Sequence, residues 1–557
     1  VTNTQGIETK VKQTPLPDLG DIIFLAFCQL MLFILPNLLF GDGSTGWHLV
    51  TGQFILKTFS IPHHDLISYT FANAPWVAYE WLSDLLMAIV VNLGGLPLLG
   101  VFVSVTIAYL YLFLYEDCRR QGSHFLLAAT ITIIGALAAS IHWQARPHIF
   151  TFWGIYIFSK FLEEFHQGKI SFKKLLVIIV ATTIFWANLH PAFIIGIALL
   201  GIYFVSTLLI ALFAQDKAKR QLGGKQSREY GITLLAALAA TLVNPYGVGL
   251  HAYIFKYLHA STVISNTDEF QSPVFHGSLQ PSCLEILFLF VFVGLVTTRK
   301  MPSLPKLLAV LAFGHLALSS LRNVPLFVIV ALPFIASLFA QASLAQAAND
   351  VDDQSLLASD QKTPQWQNFW RRCLTWWRQT GTNFDAIEPT CQMHLLPIIY
   401  TVVLVSMVYI GGSSAGNVMN QVGFDQKRMP SKTLAYLSDH HLDPKQGLNL
   451  DNWGGYMAYK LGIPVFIDDR ADFYPESFYL DYAQAMTLTS RWSNVLDKYK
   501  IQWALLPQNS RLGLRLQEDP SWQLACQDKA SCLFVRKQAQ VSQPVSPKAI
   551  LPASVKP

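Results

Sequence analysis

Long apolar runs broken by short polar stretches fill the first three quarters of the chain. They fall at about 22–40, 97–115, 124–141, 149–163, 174–187, 191–214, 230–247, 283–298, 306–321, 324–345 and 394–412. Runs of this length and character read as helices crossing a bilayer, so the pattern predicts about eleven transmembrane helices. The stretch 82–93 is shorter and ends in Gly94-Gly95. It predicts a helix lying at the membrane surface or entering it part-way. Beyond about Ser413 the pattern changes. Pro430–His441, Gly454–Leu461, 475–488 and 491–500 read as helices, and Gly447–Leu450, Pro464–Ile467 and Ile501–Leu506 as strands, followed by a hairpin carrying Cys526 and Cys532. Alternating strands and helices predict a small α/β domain with a largely parallel sheet.

Charge sets the expected topology. Arg119-Arg120, Lys169 with Lys173-Lys174, the run Lys217 to Arg228, and Arg299-Lys300 with Lys306 alternate with loops poor in Lys and Arg. Basic loops stay cytoplasmic, which places residues 1–20 inside and the C-terminal region outside. The first twenty residues carry Lys10 and Lys12 but no small-residue cleavage site, so the first span reads as a retained anchor. The expected organisation is a cytoplasmic tail (1–20), a transmembrane domain (21–345) with a first outer loop at 41–81, and a cytoplasmic linker (346–393). A last span (394–412), an outer α/β domain (413–537) and a disordered Pro- and Ser-rich tail (538–557) complete it. The linker's Trp366, Trp370, Arg371, Arg372, Trp376, Trp377 and Arg378 suit an amphipathic helix at the membrane interface.

Composition agrees. Of 557 residues, 52% are hydrophobic and 13% charged, where soluble domains carry about 25% charged residues. The net charge of +5 lies mostly in the short loops, which is what topology requires and gives no footing for nucleic acid. Seven cysteines show no zinc spacing. Cys526 and Cys532 face each other across the expected hairpin, equally compatible with a disulfide or two thiols.

On this topology the polar motifs between spans share the outer face. They are the loop with Asp42, His48, His63, His64, Asp65 and Glu80, then Arg146-Pro147-His148, Asn188-Leu189-His190, Asn244-Pro245-Tyr246, Asp268-Glu269 and Arg322-Asn323. Each alone is explained by a helix cap or a snorkelling side chain; six on one face predict a shared cavity. Within it Asp42, then Glu80, are the carboxylates suited to general-base work, with His48 to orient them. Arg146 and Arg322 suit a phosphate, with His148 and His190 beside them. Asn188, Asn244, Glu269, Trp453, Asp468 and Arg470 are candidates for the acceptor side or cavity wall. His63-His64-Asp65 reads as a turn into a helix capped by Asp65 rather than a metal site. Asn452-Trp453-Gly454-Gly455 reads as a tight turn or as a wall of the acceptor site, and Asp468, Asp469 and Asp472 with Arg470 also suit a structural ion network.

Asp42-Gly43-Ser44-Thr45-Gly46-Trp47-His48, Pro62, Asp65, Ser68, Glu80-Trp81, Arg146-Pro147-His148, Trp186-Ala187-Asn188-Leu189-His190, Asn244-Pro245-Tyr246-Gly247, Arg322-Asn323-Val324-Pro325, Trp453-Gly454-Gly455-Tyr456 and Phe466 to Arg470 together resemble bacterial membrane proteins of the GT-C glycosyltransferase superfamily. The Trp453–Tyr456 stretch is distantly similar to oligosaccharyltransferase catalytic subunits. The resemblance implies an enzyme of the bacterial inner (plasma) membrane, its C-terminal domain periplasmic or extracellular. It would move a sugar from a polyprenyl-phosphate-linked donor to a lipid, glycan or protein acceptor. Such enzymes often carry an Asp-x-Asp-like pair in the first outer loop. Here Asp42 matches and Ser44 departs, which leaves open whether a divalent cation (Mg or Mn) is used. It also leaves open a non-catalytic scaffold subunit binding a partner through its outer domain. A transporter is disfavoured, because no internal repeat and no matching pair of broken spans is present.

Overall fold

The computed structural model describes residues 17–259, 268–298, 301–354 (side chains through 342), 376, 380, 394–410 and 419–537. Residues 1–16, the 538–557 tail and the linker's Trp/Arg cluster apart from Trp376 lie outside the described residues. Among the described residues six helices are long and apolar enough to cross a membrane: Trp81–Arg120, Phe125–His142, Phe172–Leu189, Phe193–Phe213, Leu279–Thr297 and Leu321–Ala342. Leu19–Ile34, Leu304–Ser319 and Leu395–Tyr409 are shorter apolar helices. The run at 149–163 and residues 230–240 of the run at 230–247 also fold as helix, within His148–His166 and Lys217–Ala240. These two carry Lys160, Glu163 and Glu164, and Lys225, Arg228 and Glu229, and so are less apolar along their length. The protein is a multi-pass, mostly helical membrane protein.

The bundle is built around the helix that follows Arg322, where Phe327, Val328, Ala331, Leu332, Phe334 and Ile335 are all fully buried. Phe185, Leu235, Phe292 and Val402 instead lie exposed on the outside of the bundle, where acyl chains rather than water would cover them. The stretch 82–93 forms the first part of Trp81–Arg120, and helical geometry fails at its end, with Gly94 at φ −155° and Gly95 at φ +68°. A left-handed backbone costs glycine almost nothing, so this pair sets the break.

The first loop contains more regular structure than the pattern predicts, because Ser44–Thr58 is a helix. It packs on the helix Asp451–Leu461, whose first residues were expected to form a turn. The two backbones approach so closely that a Cβ on Gly46 would stand 2.2 Å from the carbonyl oxygen of Gly455. The Gly43 N–H donates to Asn452 Oδ1 at 2.9 Å beside this contact. Gly46→Val is therefore expected to destabilise the protein by about 1–3 kcal/mol through overpacking, measured by denaturant unfolding in detergent. An unchanged midpoint would show that the approach is looser.

Asp65 caps a turn rather than a helix. Its carboxylate accepts from the Ile67 and Ser68 N–H groups at 3.1 and 2.8 Å, and the chain then doubles back so that Asp65 N–H reaches Ala74 O at 2.8 Å. An Asp side chain accepting from the next N–H groups serves either a turn or a cap, so the local sequence does not distinguish them. Past the turn, Val465 N–H donates to Ile67 O at 3.0 Å and Tyr69 N–H to Val465 O at 2.9 Å. The segment 464–467, expected as a sheet strand, is thus clipped onto the first loop as an isolated parallel bridge. On its other side the Asn449 amide takes the place of a ladder, binding the Phe466 N–H and the Ile467 carbonyl at 3.0 and 2.8 Å.

The sheet is mixed, not largely parallel. Its order is β1 (Gly447–Asn449), β2 (Trp503–Pro507), β4 (Ser531–Arg536) and β3 (Trp522–Gln527). Only β1 and β2 run parallel; β2–β4 and β3–β4 are antiparallel. With 464–467 withdrawn to the first loop, the closing hairpin supplies half of the strands. Cys526 and Cys532 are free thiols on adjacent strands, so the disulfide is not formed. They are out of register: Cys526 stands opposite Leu533 and Cys532 opposite Gln527.

Candidate functional site

An open cavity of about 480 Å³ lies where helix ends meet the first loop and the C-terminal region. Glu80 precedes one helix, His148 begins another and His190 caps the end of a third. These three line the cavity with Asp42, His48, Arg146, Glu269, Arg322 and Arg470. Four expected wall residues do not. Asn188 is turned inward, accepting from Trp81 Nε1 and donating to Val243 O at 3.0 and 2.7 Å. Asn244 closes its own turn, donating to Thr241 O at 2.7 Å. Trp453 is buried and donates to Arg428 O at 2.9 Å. Asp468 is fully buried against Arg470 and Tyr474. All four satisfy internal hydrogen bonds that a loop or helix end needs.

Asp42 is held by three hydrogen bonds. Its Oδ1 accepts from Ser44 N–H at 2.9 Å and Ser44 Oγ at 2.8 Å, and its Oδ2 from Arg146 Nη1 at 2.9 Å. Ser44 Oγ also contacts Asp469 Oδ2. A hydroxyl has one proton, so both contacts are hydrogen bonds only if one carboxyl is protonated. Burial and the neighbouring Asp42 charge both push the Asp469 carboxyl up, which makes it the protonated member. The order is then Asp469 to Ser44 to Asp42, with Asp42 as the ionised end.

Asp469 is offered by the sequence only as part of an ion network with Arg470, not as a site acid. It brings the second acid to the first loop from 425 residues away, where Ser44 holds the expected acidic position. Nothing in Asp468-Asp469-Arg470 tells which acid faces the cavity. The structure sends Asp468 inward to Arg470 and Asp469 outward to Ser44.

A second group lies deeper. His48 Nδ1 is 2.6 Å from Asp84 Oδ1 and 4.0 Å from Glu80 Oε2. His190 Nε2 is 3.4 Å from Glu80 Oε1, while its Nδ1 accepts the Ala192 N–H at 3.2 Å. That tautomer leaves the Nε2 proton for Glu80. Burial pushes the Glu80 carboxyl up to about 8, poised to hold or release a proton near neutral pH. Burial, reinforced by nearby arginines, holds both histidines neutral. Asp84 was also missed. Its signal was an ionisable side chain inside the apolar run 82–93, which is costly without a partner.

The cationic side is split in function. Arg146 Nη1 bridges Asp42 Oδ2 and Glu269 Oε1 at 2.9 and 2.8 Å. Burial raises the Glu269 carboxyl, but Arg146, His142, Arg322 and His148 together outweigh it and hold it well below the usual range. Arg322 lies over the Phe270 ring at 4.4 Å, and among the described residues no carboxylate pairs with it. Arg470 lines the cavity, yet its hydrogen bonds run to Asp65 and Asp468, so it is a clamp and not a free cation. The divalent cation that the sequence left open does not fit among these residues. Arg146 Nη1 fills the position between the two carboxylates that such an ion would need.

No protein-family model matches the chain, and no curated protein sequence does. Solved structures do match. The oligosaccharyltransferase of Archaeoglobus fulgidus in the apo form aligns with TM-score 0.51 at 10% identity, covering 88% of this chain and 69% of that one. The same enzyme tethered with an acceptor peptide containing the NVT sequon aligns with TM-score 0.50 at 11% identity, over 88% and 69%. ArnT from Cupriavidus metallidurans bound to undecaprenyl phosphate gives TM-score 0.45 at 13% identity, over 92% and 97%. At such identities a likeness is one of fold, and the fold of this chain is GT-C-like.

Proposed function

We propose that the protein is a membrane glycosyltransferase that moves a sugar from a polyprenyl-phosphate-linked donor to a lipid, glycan or protein acceptor. The observation that carries this reading is the meeting of Asp42, relayed through Ser44 to Asp469, with Arg146 and Arg322 in one cavity of a GT-C-like fold. In the reaction the acceptor oxygen forms a bond to the anomeric carbon as that carbon's bond to the phosphate oxygen breaks. The acceptor proton passes to Asp42, and the electron pair leaves with the phosphate. Arg322, not tied to a carboxylate, supplies the planar fork that stabilises the departing phosphate. The Glu80–His190 and His48–Asp84 pairs buffer the deeper wall.

Basic loops on one side and the cavity groups on the other support the outer face of a bacterial inner membrane, with about eleven spans and a cytoplasmic N-terminus. Ser44 is the best support for a non-catalytic scaffold, and its contacts with Asp42 and Asp469 favour the catalytic reading instead. The test is transfer of labelled sugar from polyprenyl-phosphate-linked donors by purified protein in lipid vesicles, with membrane lipid, glycan or peptide acceptors. Arg322→Ala is expected to raise the donor KM about 10- to 100-fold, the value of a charged hydrogen bond, with an unchanged melting midpoint. Absence of transfer from every donor class by the wild type would overturn the reading.

A further inference from the structure

Building on this reading, we propose that the Arg146 guanidinium takes the place of a divalent cation, so that transfer needs no metal. One atom makes the case: Nη1 lies 2.9 Å from Asp42 Oδ2 and 2.8 Å from Glu269 Oε1, two acids 227 residues apart that would repel each other without a cation between them. The position is built rather than adventitious. Ala145 N–H donates to Leu39 O at 2.8 Å, and Ala145 O accepts from buried Thr45 Oγ1 at 3.0 Å. The backbone before Arg146 is thereby pinned on both sides of Asp42.

A third acid stands close to Asp42. Asp469 Oδ1 is buried without a hydrogen-bond partner, one Ser44 hydroxyl from Asp42. Without Arg146, Asp42 and Glu269 would be left as facing carboxylates with Asp469 one hydroxyl further off, oxygen donors of the kind a divalent cation takes. With Arg146 present its charge is already in place. The hydrogen bonds of its guanidinium among the described residues all run from Nη1. Nε and Nη2 are left for the donor phosphate, which a guanidinium binds through two parallel bonds.

Two readouts test this. Wild-type transfer is expected to stay within about twofold after exhaustive EDTA treatment, against the loss of 100-fold or more expected where a metal stabilises the departing charge. Titration with Mn2+, followed by electron paramagnetic resonance, is expected to show no binding in the wild type that Asp42→Asn removes. Arg146→Ala is expected to lose transfer and to gain Mn2+ binding that a second change, Asp42→Asn, abolishes. Mn2+-dependent wild-type transfer, or wild-type Mn2+ binding lost in Asp42→Asn, would overturn the proposal while leaving a glycosyltransferase. If no sugar moves under any condition, the proposed function fails, and the Mn2+ titration still decides the role of Arg146. Should Arg146→Ala not fold, Arg146→Lys is expected to keep the Asp42–Glu269 pair neutralised and to bind no Mn2+; Asp42-dependent Mn2+ binding by it would equally overturn the proposal.

Discussion

Asp42→Asn is expected to lower sugar transfer by about 10²- to 10⁴-fold, the range of general-base catalysis, while unfolding of the purified protein stays near wild type. The amide is isosteric, so its carbonyl can still accept from the Ser44 N–H and Oγ, which lie 2.9 and 2.8 Å from Oδ1. Arg146 keeps its other partner, Glu269, at 2.8 Å and is not left as an uncompensated charge. What disappears is the ionised end of the Asp469–Ser44–Asp42 chain and with it the acceptor of the proton. Single-turnover transfer from a lipid-linked donor, measured beside thermal unfolding, separates the two effects. Full turnover in the variant would remove Asp42 from the reaction, whatever the rest of the cavity does.

The largest expected effect on stability is at Arg470. Its Nε and Nη2 clasp Asp468 at 2.8 and 2.6 Å, Nη2 also reaches Asp65 at 2.6 Å, and the guanidinium lies 4.6 Å from the Trp76 ring. Arg470 is 2% exposed, Asp65 5% and Asp468 0%, so water does not screen these charges. Arg470→Met keeps much of the volume but leaves two buried carboxylates with no cation. Breaking a buried pair in this way costs about 3–5 kcal/mol, measurable as the shift in denaturant unfolding in detergent. A loss below about 1 kcal/mol, the value of an exposed pair, would mean that the clamp is not holding the first loop to the C-terminal region.

These two residues show why the functional reading needed the structure. Asp42 could be singled out because it stands alone after an apolar run, next to glycines, where an ionisable group demands explanation. Arg470, unlike Arg146 and Arg322, reads from the sequence as either an acceptor-side wall residue or a member of an ion network with Asp468, Asp469 and Asp472. All three are arginines beside acids or helix ends, and only burial and partner geometry distinguish a clamp from a phosphate fork. Asp468 and Asp469 are neighbours, yet one closes the clamp and the other meets the Ser44 hydroxyl beside Asp42. Side-chain direction at such a bend depends on what packs around it, and the packing partners come from the first loop.

The sequence by itself determined what depends on near neighbours along the chain. Apolar runs set where helices form, Gly94-Gly95 set where one of them breaks, and the polar residues between runs marked the helix ends at which Glu80, His148 and His190 now line a cavity. Only the tertiary structure decided pairings across long separations. It withdrew 464–467 from the sheet to the first loop and turned Asn188 and Asn244 inward. It also placed Arg146 between Asp42 and Glu269, and supplied through Asp469 the acid that Ser44 had seemed to lack. The reason is physical: a hydrophobic run carries its helix in its own periodicity, whereas a charge acquires its role from the partner and the dielectric that folding brings to it.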